Sequence, residues 1–362
     1  MSLEGPILSD AEIADRLLAH LRAVFDAPAL AYADTPQRIT GGFETTIFRF
    51  SLSDPPPGCA GPLIVRILQP HYDPNQIRLE AAVHSELAAL GYPAPRAVLL
   101  GADPAILGGA FMVMPFVTGR PLAKGMDAFV SGAAVSRVLR LVIDVPRMVE
   151  QMAHVWAAAQ VQLHALPSAA MTRALAEAGL RPEAYTFAAR LAALGREIDA
   201  LELIGLKPAW DWLMAHQPPM AVTAICHCDF HPLNILAEDG RITGVIDWGN
   251  VTLGEPALDV GSTIAAITTT PLGVPPPLRP VVRGLLWYAL WRYRRAYQQQ
   301  RRIDKTAVRY YRVFRSLWHL VGALRSARRG DAAAGAHGLP AARRLLVGRI
   351  QALSGVTVSI DT

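Results

Sequence analysis

A short strand-rich island, residues 221–248, interrupts a chain that otherwise reads as helix from residue 119 onward. Inside it, Asp239-Gly240 is a hairpin-turn signal, because both residue types tolerate the positive φ that a tight hairpin turn demands. A hairpin embedded among long helices restricts the fold more than any other segment does. The N-terminal part has the opposite texture. Ser9 followed by Glu12 is a capping-box pattern, and Ile13, Leu17, Leu21 and Val24 follow at helical spacing, which predicts a helix over about 10–25. Residues 43–52 alternate, with Phe48, Phe50 and Leu52 on one side, and residues 63–68 read as a second strand. Helical periodicity returns over 75–90, closed by Gly91 with Pro93 beyond it, and apolar runs at 97–100 and 110–114 follow. The expected class is α+β. A small antiparallel-sheet unit spans residues 1–115, and a large, mostly helical unit spans 116–362, with a linker near 115–119. Two units of that kind suit 362 residues.

Composition removes several classes. Apolar residues make up 52% and charged residues 18%, which excludes disorder along the whole chain. The uncharged, apolar stretch 260–278 contains Pro271 and Pro275-Pro276-Pro277, so it reads as a buried helix and a loop rather than a membrane span. The first residues show no basic and apolar leader pattern, and the three cysteines, Cys59, Cys226 and Cys228, make no disulfide framework. A cytoplasmic location is expected. Cys226-x-Cys228 lacks the four ligands of a structural zinc site. The formal charge is +5, yet residues 281–362 carry 16 Lys/Arg against 3 Asp/Glu. That balance suits an acidic or phosphorylated partner, or plain solvated helix faces. No nucleic-acid-binding module is recognisable.

Chemistry concentrates in the island. Asp229 and Asn234 fall on a loop just before a strand, and Asp247 ends the next strand of the same hairpin. Carboxylate and amide oxygens are hard ligands, suited to Mg²⁺. Phosphoryl transfer needs this set: one carboxylate to take the acceptor's hydroxyl proton, and an amide oxygen and a second carboxylate to hold the metal that bridges the phosphates. The interval of five from Asp229 to Asn234 is that of the kinase catalytic loop. His227 and His231 are read as bracing the loop through backbone hydrogen bonds, with metal ligation as the alternative.

The run His227-Cys228-Asp229-Phe230-His231-Pro232-Leu233-Asn234, followed by Ile246-Asp247-Trp248, resembles the signature of the aminoglycoside phosphotransferase family. That family shares a bilobal protein-kinase-like fold with choline kinases. Cys228 and Leu233 stand where glycine is common, which bears on loop conformation rather than on ligands. The resemblance extends from about residue 41 to 259 and implies further roles. Gly41, Gly42, Thr45 and Thr46 match a phosphate-binding loop. Arg66, on the 63–68 strand, would hold the α/β-phosphates and be positioned by Glu80 on the next helix. Residues 112–119 resemble the adenine hinge: Met114 would line the pocket, Pro115 would offer its carbonyl and Val117 its N–H. His164 and Asp259 are read as structural, Asp259 satisfying the backbone of the catalytic loop.

The resemblance thus implies an ATP- or GTP-dependent, Mg-requiring small-molecule kinase, an O-phosphotransferase with Asp229 as base and Asn234 and Asp247 as metal ligands. The rival from another class is a catalytically silent nucleotide-binding regulator, although no ligand or base is missing. A protein kinase is disfavoured by the lack of Asp-Phe-Gly and Ala-Pro-Glu segments. Arg292, Arg294, Arg295, Arg301, Arg302, Arg309, Arg312 and Arg315 crowd the C-terminal helices, so the hydroxylated acceptor is expected not to be strongly cationic. The aromatics of that stretch, among them Trp287, Trp291, Tyr293 and Tyr297, wall an acceptor or form core. Sequence leaves the oligomeric state open.

Overall fold

The computed structural model describes residues 8–39, 45–70, 72–123, 135–220, 222–329 and 340–360, without the side chains of 135–147. By its contacts the chain divides into two compact units: Met1–Gly119 with Ala169–Pro182 and Thr243–Gly249, and Arg120–Ser168 with Glu183–Ile242 and Asn250–Thr362.

The first unit opens with helix α1 (Asp10–Val24), and the capping box forms as expected: the Ser9 hydroxyl accepts from Glu12 N–H while Glu12 accepts from Ser9 N–H. Strands β1 (Ala31–Ile39), β2 (Thr45–Ser53), β3 (Leu63–Leu68), β4 (Leu99–Gly101) and β5 (Phe111–Pro115) form an antiparallel sheet in the order β1-β2-β3-β5-β4. Helix α2 (Asn75–Ala89) follows β3, and the short α3 (Pro104–Leu107) precedes β5. Alternation sorts β3 and β5 into two faces. Leu63, Val65, Phe111 and Val113 pack with Leu17 and Leu21 of α1, while Met112 and Met114 pack with Ile77 and Ala81 of α2. The sequence reading missed strand β1. It is mostly exposed, holds Pro36, and shifts register against β2 between Tyr32 and Gln37, so its pattern lacks alternation.

The second unit is built on helices α4 (Val135–Ala165), α6 (Phe187–Ala200), α7 (Lys207–Ala215), α8 (Pro256–Thr269), α9 (Arg279–Gln300), α10 (Lys305–Arg329) and α11 (Pro340–Ser354); α5 (Ser168–Glu177) belongs largely to the first. Helix α8 is buried on nearly every side, which explains its uncharged sequence. Trp156 of α4 stacks on Tyr293 of α9 at 4.0 Å between ring centroids. The island resolves into β7 (Ala224–Cys226), β8 (Ile235–Glu238), β9 (Arg241–Val245) and β10 (Thr252–Gly254). β7 pairs with β10, and β8 lies between β6 (Arg120–Pro121) and β9. Asp239 and Gly240 take φ values of 49° and 76° between β8 and β9, the double positive that the hairpin signal predicts. Among the described residues no helix is long and apolar enough to cross a membrane.

Candidate active site

The loop after β7 is held from beneath by one carboxylate. Asp259, in the first turn of α8 and fully buried, accepts the His227 N–H at 3.0 Å and the Cys228 N–H at 2.7 Å. Its Oδ2 also lies 3.0 Å from His164 Nε2, and His164 Nδ1 lies 2.7 Å from the Tyr297 hydroxyl. Burial alone would raise the Asp259 pKa, but the hydrogen bond and charge of His164, helped by His227, leave it below the ordinary carboxylate value. Both residues therefore do what the sequence reading assigns them. Cys228 sits in the left-handed region at φ 63°, the conformation that makes glycine common at this point of the family pattern. Its neighbour Phe230 offers a carbonyl to two donors, Trp156 Nε1 at 2.9 Å and Thr263 Oγ1 at 3.1 Å.

Asp229 is thereby presented on a closed turn. Its N–H donates to His227 Nδ1 at 3.2 Å, so His227 braces the loop. Its carbonyl accepts from His231 N–H at 2.9 Å and from Asn234 Nδ2 at 3.0 Å. Asn234 spends its amide nitrogen on the turn and keeps its amide oxygen without a hydrogen bond among the described residues. The Asp229 carboxylate, 21% exposed, has His231 Nε2 3.6 Å from Oδ2 and Arg315 Nη2 3.8 Å from Oδ1. Burial raises its pKa, but His231, Arg315 and His227 outweigh that and hold the carboxyl well below the usual range. Arg315 escaped sequence reasoning, because it is one arginine among many on a basic helix. The only signal was its place on one helix face with Val308, Tyr311 and Trp318.

The first unit holds the residues that the family resemblance assigns to the nucleotide. Arg66 Nη1 pairs with Glu80 Oε2 at 2.5 Å, with Glu80 1% exposed. The segment after β9 lies beside this pair: a Cβ at Gly249 would sit 3.5 Å from Glu80 Oε1 and from Gln76 Nε2. Trp248 anchors the segment, its ring edge-on to His84 and to Tyr92 and its N–H donated to Val245 O at 2.9 Å. Asp247, just before it, is exposed, holds φ 68°, and has no hydrogen-bond or ion-pair partner among the described residues. Met114 is buried against α2. Pro115 faces Leu63, and Phe116 N–H donates to Pro62 O at 2.9 Å. By ladder alternation the Pro115 carbonyl and the Val117 N–H point to the other edge, where β4 has already ended opposite Val113. Val117 packs on Gly244, whose Cβ would come within 2.8 Å of Val117 Cγ1. Thr45 is buried at the start of β2, with Thr46 next to it opposite Ile67. Gly41 and Gly42 lie outside the described residues.

Residues 35–297 match the family model described as the phosphotransferase enzyme family (APH). The chain belongs to this family. No curated protein sequence matches it. Among solved structures, this phosphotransferase is similar to a thermostable mutant of aminoglycoside phosphotransferase APH(4)-Ia in ternary complex with AMP-PNP and hygromycin B, at 17% identity and TM-score 0.61, over 95% of this chain and 100% of that one. It is also similar to the apoenzyme of macrolide 2'-phosphotransferase MphH from Brachybacterium faecium, at 19% identity and TM-score 0.53, over 92% and 98% of the two chains. The kinase-like α+β bilobal fold expected from the sequence is thus the fold of this phosphotransferase.

Proposed function

We propose that this phosphotransferase transfers the terminal phosphoryl group of ATP to a hydroxyl of a small molecule, with residues 1–115 serving nucleotide binding and 116–362 serving catalysis and acceptor binding. The observation that carries the reading is the Asp229 turn: a partly exposed carboxylate whose backbone and side chain are fixed on every side. Asp229 receives the acceptor hydroxyl. Because its proton affinity is low, it orients that hydroxyl and takes the proton late, as the phosphoryl group is already transferring. Arg66, held by Glu80, is the cation for the nucleotide's phosphates, with Thr45, Thr46, Gly41 and Gly42 contributing donors. Met114, Pro115 and Val117 receive the base. ATP is the favoured donor and GTP the second candidate.

Magnesium fits the donor chemistry. The Asn234 amide oxygen and the Asp247 carboxylate are hard oxygens that no described residue engages, so they are the residues that would hold the ion. Bound magnesium supplies charge neutralisation at the phosphates. The acceptor is a hydroxylated compound without a high positive charge. The basic helices support this less strongly than their composition suggests, since Arg292 pairs with Glu150 and Arg301 donates to His164 O at 3.0 Å. Most of the aromatic stretch is core, with Trp287 and Trp291 exposed.

The test pairs two variants. Asp229→Asn should lose phosphoryl transfer while keeping a Mg·ATP-induced rise in melting temperature, and Asp247→Ala should lose the metal-dependent part of that rise. Full turnover by Asp229→Asn would overturn the assignment. Running Mg·GTP alongside Mg·ATP reads the donor preference.

A further inference from the structure

One buried charge is not accounted for by packing. Arg315 of α10 lies one turn on from Tyr311, which meets Gly261 of α8, and has 6% of its side chain exposed. Sheltering a guanidinium is costly unless hydrogen bonds offset the lost hydration. The exposed arginines of the same helix have such bonds, Arg309 donating to Leu353 O at 2.5 Å and Arg325 pairing with Glu197 at 2.8 Å, while the half-buried Arg312 shares with Arg315 a buried Nε that has no hydrogen bond among the described residues. Arg190 of α6 donates to Val251 O at 2.9 Å and lies 5.7 Å over the Trp318 ring. Among the described residues Arg315 has neither a carbonyl to donate to nor a ring beneath it. Among the described residues its one ion-pair partner is Asp229, and its buried Nε has no hydrogen bond.

The contact geometry at Asp229 is two-sided. Arg315 Nη2 faces Oδ1 at 3.8 Å and His231 Nε2 faces Oδ2 at 3.6 Å. Both distances exceed the ~2.7–2.9 Å of a charge-assisted hydrogen bond. The Arg315 guanidinium thus sets a fixed charge beside Oδ1 and the His231 ring flanks Oδ2, and neither contact is close enough to take the carboxylate's lone pairs from a hydroxyl.

We propose that Arg315 is a positioning residue for phosphoryl transfer, fixing the Asp229 carboxylate in the orientation that receives the acceptor hydroxyl. It acts through Asp229 and is too buried to hold the acceptor itself. The proposal rests on the reading of Asp229 given above.

The experiment uses the full chain, Mg·ATP and no added acceptor, with water as the acceptor and release of labelled phosphate at high enzyme concentration as the readout. Arg315→Met, Arg315→Lys and Asp229→Asn are compared with the native protein. Arg315→Met should lose about tenfold to a hundredfold in kcat, the scale of a misplaced reacting group. The KM for Mg·ATP and the nucleotide-induced thermal shift should not change. Arg315→Lys should recover part of the loss, because the charge returns without the fork. If Arg315→Met fails to fold, Arg315→Lys and Arg315→Gln carry the same comparison, with Lys expected above Gln. Native kcat in a folded neutral variant overturns the proposal, as does equal loss in the Lys and neutral variants with a raised KM. Phosphate release no slower in Asp229→Asn than in the native protein is a different result: it overturns the reading of Asp229 on which the proposal stands.

Discussion

Cys228 shows how one residue can carry a loop at a cost. Its left-handed backbone, at φ 63°, costs an L-residue about 1–2 kcal/mol relative to glycine. Against that stands a buried thiol, worth on the order of 1 kcal/mol. The two nearly cancel, so Cys228→Gly should leave stability in urea within about 1 kcal/mol of the native protein. Cys228→Val, branched at Cβ, should lose more than about 2 kcal/mol. A loss above about 3 kcal/mol in the glycine variant would show that packing of the thiol, not backbone strain, decides this position. Burial pushes the thiol up to about 12, so it is no nucleophile at neutral pH. At this scale the motif that holds Asp229, Asn234 and Asp247 was legible because it fixes residue types at short intervals, and their roles stay part of the proposal. Arg66 and Glu80 were legible because a charge inside an apolar strand needs a nearby partner. Arg315 was not, because nothing local tells an inward-facing arginine from its solvated neighbours.

Helix α8 is the element on which the Asp229 turn stands. Its first turn supplies Asp259, Thr263 follows one turn later on the Phe230 carbonyl, and α10 packs closely along it. Closeness depends on Gly261, where a Cβ would meet Tyr311 Cβ at 2.8 Å and Val308 O at 3.1 Å. Gly261→Ala must push α10 away, and the expected loss is about 1–3 kcal/mol of stability. Chemical denaturation with Gly284→Ala as control checks this, since a Cβ at Gly284 meets nothing within 4 Å. Equal stability of the two variants would mean that the α8–α10 contact relaxes freely. Elements with clear periodicity, α1, β3 and α2, matched their expected spans closely. Strand β1 did not, because an exposed, register-shifted edge strand has no buried face to impose alternation.

Across the whole molecule, acid sensitivity follows from buried carboxylates. Asp259 is held below its ordinary pKa, so the unfolded chain binds its proton more tightly. Its contribution is complete above the unfolded value of about 4 and is lost as pH falls through that value toward the folded one. The melting temperature should drop between pH 6 and pH 3. Asp259→Asn should melt lower at pH 6 and show a shallower drop, and a parallel curve would mean that other carboxylates set the acid limit. The sequence alone determined the elements with clear periodicity, the embedded hairpin, the phosphotransferase motif and the type of chemistry it serves. Those are local properties, fixed by periodicity, turn chemistry and residue type over a few positions. The tertiary structure decided which charges are buried and what answers them: Asp259 shared between His164 and two loop N–H groups, and Arg315 aimed at Asp229. Burial and pairing depend on neighbours that are far apart in the chain, from His164 to Asp259 and from Asp229 to Arg315, and desolvation makes those neighbours decisive.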